Sequence, residues 1–193
     1  MGADPLEKAP PPLKLRAFFG LPLPEGHRAA LSDYLAACTA AAPEFRWTPA
    51  ANLHLTVRFI GSVEVSVVED LADRLSARPL AGFELALGGI ATFKRGRLVS
   101  VVWQQVRSGA ESARELAAQV EAECVGVGLA PETRRFQPHL TLARARARDG
   151  GPVPALSEPP ELPPWRADEL ILYRSHLGRA GSVYEPVRTF SLS

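Results

Sequence analysis

Asn52-Leu53-His54-Leu55-Thr56-Val57-Arg58-Phe59-Ile60-Gly61 is the stretch around which the chain is organised. Its tripeptide His-Leu-Thr returns as His139-Leu140-Thr141, followed by Leu142-Ala143-Arg144. Of the chain's four histidines, two stand in these identical tripeptides. Both copies lie in short runs that read as strands, where successive side chains point to opposite faces. In the first copy His54, Thr56 and Arg58 share one face, and Leu53, Leu55, Val57 and Phe59 the other. In the second, His139 and Thr141 oppose Leu140 and Leu142. The apolar faces suit packing on helices, so the polar faces must look into a cleft or solvent. A titratable group repeated at the same place in two strands implies two half-sites facing each other.

Outward from these strands, the elements fall in a regular order. Leu13 to Leu21 alternates and carries Phe18 and Phe19 before Gly20, a first strand. Beyond Pro22 and Pro24, the apolar spacing of Leu31, Tyr34, Leu35 and Cys38 predicts a helix. Phe45 to Asn52 reads as a loop feeding the strand Leu53 to Phe59, which Gly61 ends. Ser66-Val67-Val68-Glu69 is a capping-box pattern for a second helix with Val68, Leu71, Ala72 and Leu75 on one stripe. Phe83 to Ile90 and Leu98 to Val106 form a predicted hairpin whose tip, Phe93-Lys94-Arg95-Gly96-Arg97, is basic. A third helix over Ala110 to Val127 precedes the second His-Leu-Thr strand. The proline-rich run Gly150 to Pro164 is a long loop, and strands at Glu169 to His176 and Val183 to Leu192 close the chain. This order predicts an α+β fold, and the repeated histidine strand predicts two similar lobes side by side. Residues 1–12 carry Pro10-Pro11-Pro12 and read as a flexible tail ahead of one domain over residues 13–193.

Composition narrows the function classes. With 22 Lys+Arg against 21 Asp+Glu the net charge is +1, which lacks the basic signature of a duplex-binding protein. The positive charge is local: Arg134, Arg135, Arg144, Arg146 and Arg148 crowd the second tripeptide, and Lys94, Arg95 and Arg97 form another cluster. Patches of that size suit a few phosphates. Cys38 and Cys124 sit at apolar positions of helical patterns and read as small buried hydrophobes. No apolar run is long enough to cross a bilayer and no signal peptide is visible, so a soluble, cytoplasmic protein without disulfides is expected.

Histidine is the side chain that gives or takes a proton near neutrality. Two of them on facing strands can flank one reacting centre, one as general base on water and the other as general acid on the leaving oxygen. The threonine two residues on points the same way, so its hydroxyl can donate to an oxyanion. That division of labour fits a phosphodiester, with Arg58 or Arg144 adding a fixed positive charge. Two histidines without nearby carboxylates or thiolates fall short of a zinc site, and no metal or cofactor is expected. His27 and His176 lack the pattern and read as surface residues.

At these residues the chain resembles the two-histidine (2H) phosphoesterase superfamily, defined by two His-x-Thr/Ser-x motifs on a duplicated fold. Within it, the likeness is to the RNA 2′,3′-cyclic phosphodiesterases, once called 2′-5′ RNA ligases. That family's first motif typically reads Asn-x-His-x-Thr-Leu-x-Phe-Leu-Gly, matched by Asn52 through Gly61 with Val and Ile in place of the two leucines. The second, Pro-His-x-Thr-Leu-x-Arg, is matched by Pro138 through Arg144. The opening Arg16-Ala17-Phe18-Phe19, Trp47, and the closing Ser175, Leu177, Gly181 and Tyr184 are also similar. The resemblance implies two lobes related by pseudo-two-fold symmetry, with antiparallel sheets lining a central cleft and helices outside. It implies metal-independent hydrolysis of a terminal RNA 2′,3′-cyclic phosphate to a 2′-phosphomonoester. His54 would protonate the departing 3′ oxygen, His139 would activate water, and Thr56, Thr141 and Arg144 would hold the phosphate. The residues alone equally permit the acid and base roles exchanged. Strict alternation puts Arg144 on the face opposite His139, so its role requires the strand to end or twist near Ala143. The partner expected is an RNA end such as a tRNA fragment, acted on by a monomer, with 2′-5′ joining as an incidental reverse reaction. Two other readings stay open: a 2H enzyme for small cyclic-phosphate nucleotides, and an RNA-end-binding module without turnover. Lys94, Arg95, Arg97, Trp47 and Phe136 are the candidates for RNA contact beyond the cleft.

Overall fold

The computed structural model describes residues 13–178 and 181–193, so the tail expected over residues 1–12 lies outside the described residues. Along the chain the elements are β1 (Lys14–Pro22), α1 (Glu25–Ala41), β2 (Phe45–Trp47), β3 (His54–Glu64), α2 (Val65–Ser76), β4 (Phe83–Arg95), β5 (Leu98–Ser108), α3 (Ala110–Gly126), β6 (His139–Ala145), β7 (Trp165–Ala167), β8 (Glu169–Gly178) and β9 (Gly181–Ser191). The strands hydrogen-bond in the order β7-β4-β5-β6-β3-β1-β8-β9, with β2 added to β6 and every pairing antiparallel.

The expected lobes are the two halves of this order, and their seam is narrow. Strand β3 meets β6 at one residue pair, Leu55 opposite Leu140. Each half then holds four strands of the main path, β7-β4-β5-β6 and β3-β1-β8-β9. Antiparallel neighbours are related by a two-fold, and here it exchanges the two His-Leu-Thr tripeptides. Because the leucines pair, His54 stands level with Thr141 and Thr56 with His139. With so little ladder to hold them together, the halves diverge from the seam and leave a cleft on the polar face.

The other face carries the core. Leu55, Val57, Leu140 and Leu142 are buried with Leu31, Leu35 and Cys38 of α1, Leu71 and Leu75 of α2, and Leu116, Val120 and Cys124 of α3 in one cluster. Full burial of such a side chain stabilises by about 1.5–3 kcal/mol, so the leucine of each tripeptide anchors the histidine beside it. Both cysteines are free and buried, as read from the sequence. Burial raises the Cys124 thiol to about 11, which leaves it unreactive near neutrality.

Several local readings are corrected. Gly61 does not end β3, which runs on to Glu64. Ala17 faces Gly61 and Phe18 faces Phe59, so Ile60 is an extra residue, and Gly61 sits beside it at φ +86°. The capping box does not form, because β3 passes directly into α2 and Ser66 is already helical. The first helical N–H, of Val65, instead donates to the Leu13 carbonyl at 2.9 Å. The expected loop Phe45 to Asn52 holds strand β2 and a single 3-10 turn over Ala50–Asn52. His27 is not a surface residue: it is 6% exposed, its Nε2 lies 2.9 Å from the Pro163 carbonyl and its ring meets Trp165 edge-on. Tyr34 also donates to the Ser157 carbonyl, so α1 holds the proline-rich loop down at two points.

Candidate active site

The polar faces of β3 and β6 meet a cavity of about 430 Å³ that brings together His54, Thr56, Thr141 and Arg144. His139 lines an adjoining groove of about 580 Å³, and Thr56 and Phe59 belong to both spaces. The five residues singled out in the sequence therefore sit around one continuous depression.

Each imidazole is aimed by the same local device. His54 Nδ1 donates to the Asn52 carbonyl at 2.8 Å, and His139 Nδ1 to the Gln137 carbonyl at 2.7 Å. A carbonyl can only accept, so each neutral ring carries its proton on Nδ1 and keeps Nε2 as the basic nitrogen. At His54 the Thr56 hydroxyl donates to Nε2 at 3.0 Å. Asn52 is itself fixed by its side-chain amide, which donates to the Ser182 carbonyl at 2.7 Å.

The surroundings of the two rings differ. Phe18 lies against His54 with centroids 4.6 Å apart, Tyr184 meets it edge-on at 5.2 Å, and Tyr173 completes the box at 6.0 Å. Beneath the ring, a Cβ on Gly20 would stand 3.1 Å from His54 Cδ2 and 3.4 Å from the Leu55 carbonyl oxygen. His139 is flanked by Phe93 at 5.2 Å and Trp103 at 5.6 Å. Burial lowers His54 from the ordinary 6.5 to about 4, and the Arg144 and His139 charges push the same way against the Asn52 hydrogen bond. His139 is lowered too, by burial first and by Arg144. Both rings are thus held below the ordinary histidine value, which favours their neutral forms at pH 7.

Arg144 reaches the cavity by the irregularity its role requires. Ala143 pairs with Val102 and Thr141 with Trp103, so Leu142 is an extra residue in β6. Leu142 and Ala143 are consecutive buried residues, and this bulge shifts Arg144 onto the face of His139 and Thr141. Arg58 lines the groove beside His139 and not the main cavity, and its guanidinium is already engaged. It is held by Glu121, by the Phe59 and Ala130 carbonyls at 2.8 Å each, and more distantly by Glu132. Trp47 is mostly buried, at 9% exposure, and its indole N–H donates to the Ala42 carbonyl at 3.0 Å; it lines neither of these two spaces. Phe136 does line the groove beside His139, with Arg134, Arg135, Phe59 and Phe93. Lys94, Arg95 and Arg97 sit at the exposed β4–β5 tip and line neither space.

Sequence reasoning missed Arg46, Thr48, Ser182 and the Phe18–Tyr173 contact, all of which line the cavity or hold its histidine. The alternation Phe45-Arg46-Trp47 was the available signal for β2. Among the described residues no three His, Cys, Asp or Glu side chains group in a way that could hold a metal ion. No helix among them is long and apolar enough to cross a membrane.

Fold and paired motifs together define a class, the two-histidine phosphoesterases. The chain belongs to the 2′-5′ RNA ligase superfamily, whose family model matches residues 25–179. It is 34% identical over 191 residues to an RNA 2′,3′-cyclic phosphodiesterase of Thermus thermophilus, covering 92% of this chain and 90% of that one. A Methanothermobacter thermautotrophicus protein of the same name is 30% identical over 187 residues, covering 93% and 100%. Among solved structures, Escherichia coli LigT complexed with 3′-AMP superposes with a TM-score of 0.79 at 26% identity, covering 94% of this chain and 99% of that one.

Proposed function

We propose that this protein hydrolyses the terminal 2′,3′-cyclic phosphate of RNA to a 2′-phosphomonoester by two-histidine acid–base catalysis. The observation that carries this reading is the pair of imidazoles, each locked through Nδ1 to a carbonyl with Nε2 left as the proton-handling atom, on either side of the seam. In the reaction, His139 Nε2 takes a proton from water as the water oxygen bonds to phosphorus. The phosphorus–O3′ bond breaks, and the protonated Nε2 of His54 delivers its proton to the departing 3′ oxygen. Thr56, Thr141 and Arg144 hold the non-bridging oxygens, and Arg144 offsets the charge that develops on them. The names of the relatives support the substrate, and the cavity's lining of arginines and hydroxyls with no carboxylate supports an anionic ligand.

The test is a short RNA ending in a 2′,3′-cyclic phosphate, incubated with excess EDTA and analysed for product ends, with His54→Ala and His139→Ala alongside. The expected result is a 2′-phosphate end and a loss of roughly 10²-fold or more in each variant, the range for a general acid or base. Binding without turnover would overturn the acid–base assignment, and turnover of small cyclic nucleotides alone would overturn the RNA substrate.

A further inference from the structure

The cleft continues past the catalytic pair. Beyond Thr141 it opens into an extension of about 290 Å³ that includes Arg46, Thr48, Arg144 and Tyr184 and neither His54 nor His139. Arg46 and Arg144 occupy directly facing positions on the antiparallel strands β2 and β6, and both line the main cavity as well as the extension. Like charges at facing positions repel, so such a pair costs stability unless an anion lies between. No Asp or Glu lines either space. Among the described residues neither Arg46 nor Arg144 meets a carboxylate. Thr48, whose N–H extends the ladder by donating to the Leu142 carbonyl at 2.7 Å, adds a hydroxyl to the same wall. Two guanidinium forks and a hydroxyl without counter-charge are the donor set that phosphodiester oxygens satisfy.

The register gives the direction. His54 stands level with Thr141, so the arginines lie beyond the His54 end of the catalytic pair. Because Leu142 is the bulged residue, Arg144 stands two β5 residues past Thr141, roughly 7 Å at about 3.3 Å per residue, so the facing pair of side chains spans from the reacting phosphate into the space beyond it. In the reaction proposed above His54 serves the departing 3′ oxygen, so the ribose and the chain upstream of it leave the centre on this side.

We propose that Arg46, with Thr48, grips the phosphodiester one step upstream of the terminal cyclic phosphate and makes the site select an RNA chain over a cyclic mononucleotide. The inference rests on the reading of the reaction given above. Both arginines line both spaces; Arg144, on the strand that carries His139 and Thr141, holds the reacting phosphate, and Arg46, across from it on β2, is the outer, chain-sensing cation.

The experiment compares kcat/KM of the wild type, Arg46→Ala and Arg46→Lys on three substrates. These are adenosine 2′,3′-cyclic phosphate, a diadenosine dinucleotide ending in a 2′,3′-cyclic phosphate, and the same dinucleotide with a neutral methylphosphonate as its internal linkage. The wild type is expected to prefer the charged dinucleotide over its neutral analogue by about tenfold or more, the scale of one charge-assisted contact. Arg46→Ala should bring that ratio close to one, and Arg46→Lys should retain part of it. Arg46 is exposed, and matched thermal unfolding would show that the variants fold. Equal losses on all three substrates would overturn the inference, as would a wild type indifferent to the charge of the internal linkage. If the wild type turned over none of the three, the reaction reading would fall and this inference with it. Turnover of all three without discrimination would sink the inference alone.

Discussion

Replacing His54 by glutamine should remove an acid-sensitive share of this protein's stability. The folded ring titrates near 4 and an unfolded histidine near 6.5, with burial as the main cause. Between those values the unfolded chain holds a proton that the folded chain does not. The stability associated with neutral His54 is therefore present above pH 6.5, declines as pH falls, and is lost in full below about 4. At about 1.36 kcal/mol per tenfold difference in proton affinity, the shift corresponds to about 3 kcal/mol, which solvent reaching the half-buried ring trims to about 2–3. Glutamine keeps a group able to accept from the Thr56 hydroxyl and cannot titrate. Urea unfolding of wild type and His54→Gln at pH 7 and pH 4 isolates the effect, because carboxylates common to both proteins largely cancel. The wild type's stability relative to the variant should fall by about 2–3 kcal/mol across that range. A difference that stays constant within about 1 kcal/mol would refute the buried, neutral state of His54.

Gly20→Ala should damage the site while sparing the fold, since the new methyl would crowd His54 Cδ2 at 3.1 Å. The expected outcome is a loss of roughly 10- to 100-fold in kcat, the scale of a displaced catalytic group, with an unfolding transition still cooperative; unchanged kcat would show that the ring is not held from below. The pH profile of kcat/KM reports the ligand-free enzyme, and with both imidazoles depressed its optimum should lie on the acid side of neutrality. Arg144→Gln removes the cation that adds to burial in lowering both rings, so the optimum should move upward while kcat/KM falls roughly 10- to 100-fold. An optimum that stays put or moves toward acid would contradict that arrangement.

What was legible in the sequence was whatever a fixed period could carry. His54, Thr56, His139 and Thr141 were placed on one polar face because alternation holds over the tripeptides themselves. The α+β order and the two lobes followed from counting such runs. Alternation failed where the chain departs from it by one residue. The bulge at Leu142 turns Arg144 inward, and the shift after Val57, where Gly20 faces Thr56 but Phe19 faces Arg58, takes Arg58 away to Glu121. Short strands escaped as well: β2 and β7 have three residues each, so the alternation Phe45-Arg46-Trp47 covers a single period and is easily read as loop. The aromatic box could not be read locally, because Phe18, Tyr173 and Tyr184 arrive from β1, β8 and β9 and meet only when the sheet is assembled. His27 looked like surface for the same reason, since its partner carbonyl belongs to Pro163, far along the chain.

The repeated tripeptide brings two equivalent imidazoles, and the packing around them makes them unequal. The tripeptides match residue for residue, and both rings are oriented through the carbonyl two positions upstream. Yet His54 has three aromatic neighbours and His139 two, and only His54 is hydrogen-bonded at Nε2 by its own threonine. Burial penalises a charged imidazole that lacks a counter-charge, and the fixed charge that acts on His54, Arg144, is of the wrong sign. An anionic phosphate reverses that balance: it neutralises Arg144 and places negative charge where a protonated ring is favoured. In the proposed reaction His54 therefore becomes a competent acid only when substrate is present. Arg144 then acts twice, first adding to burial in holding the rings neutral and then pairing with the anion that lets one of them take up its proton.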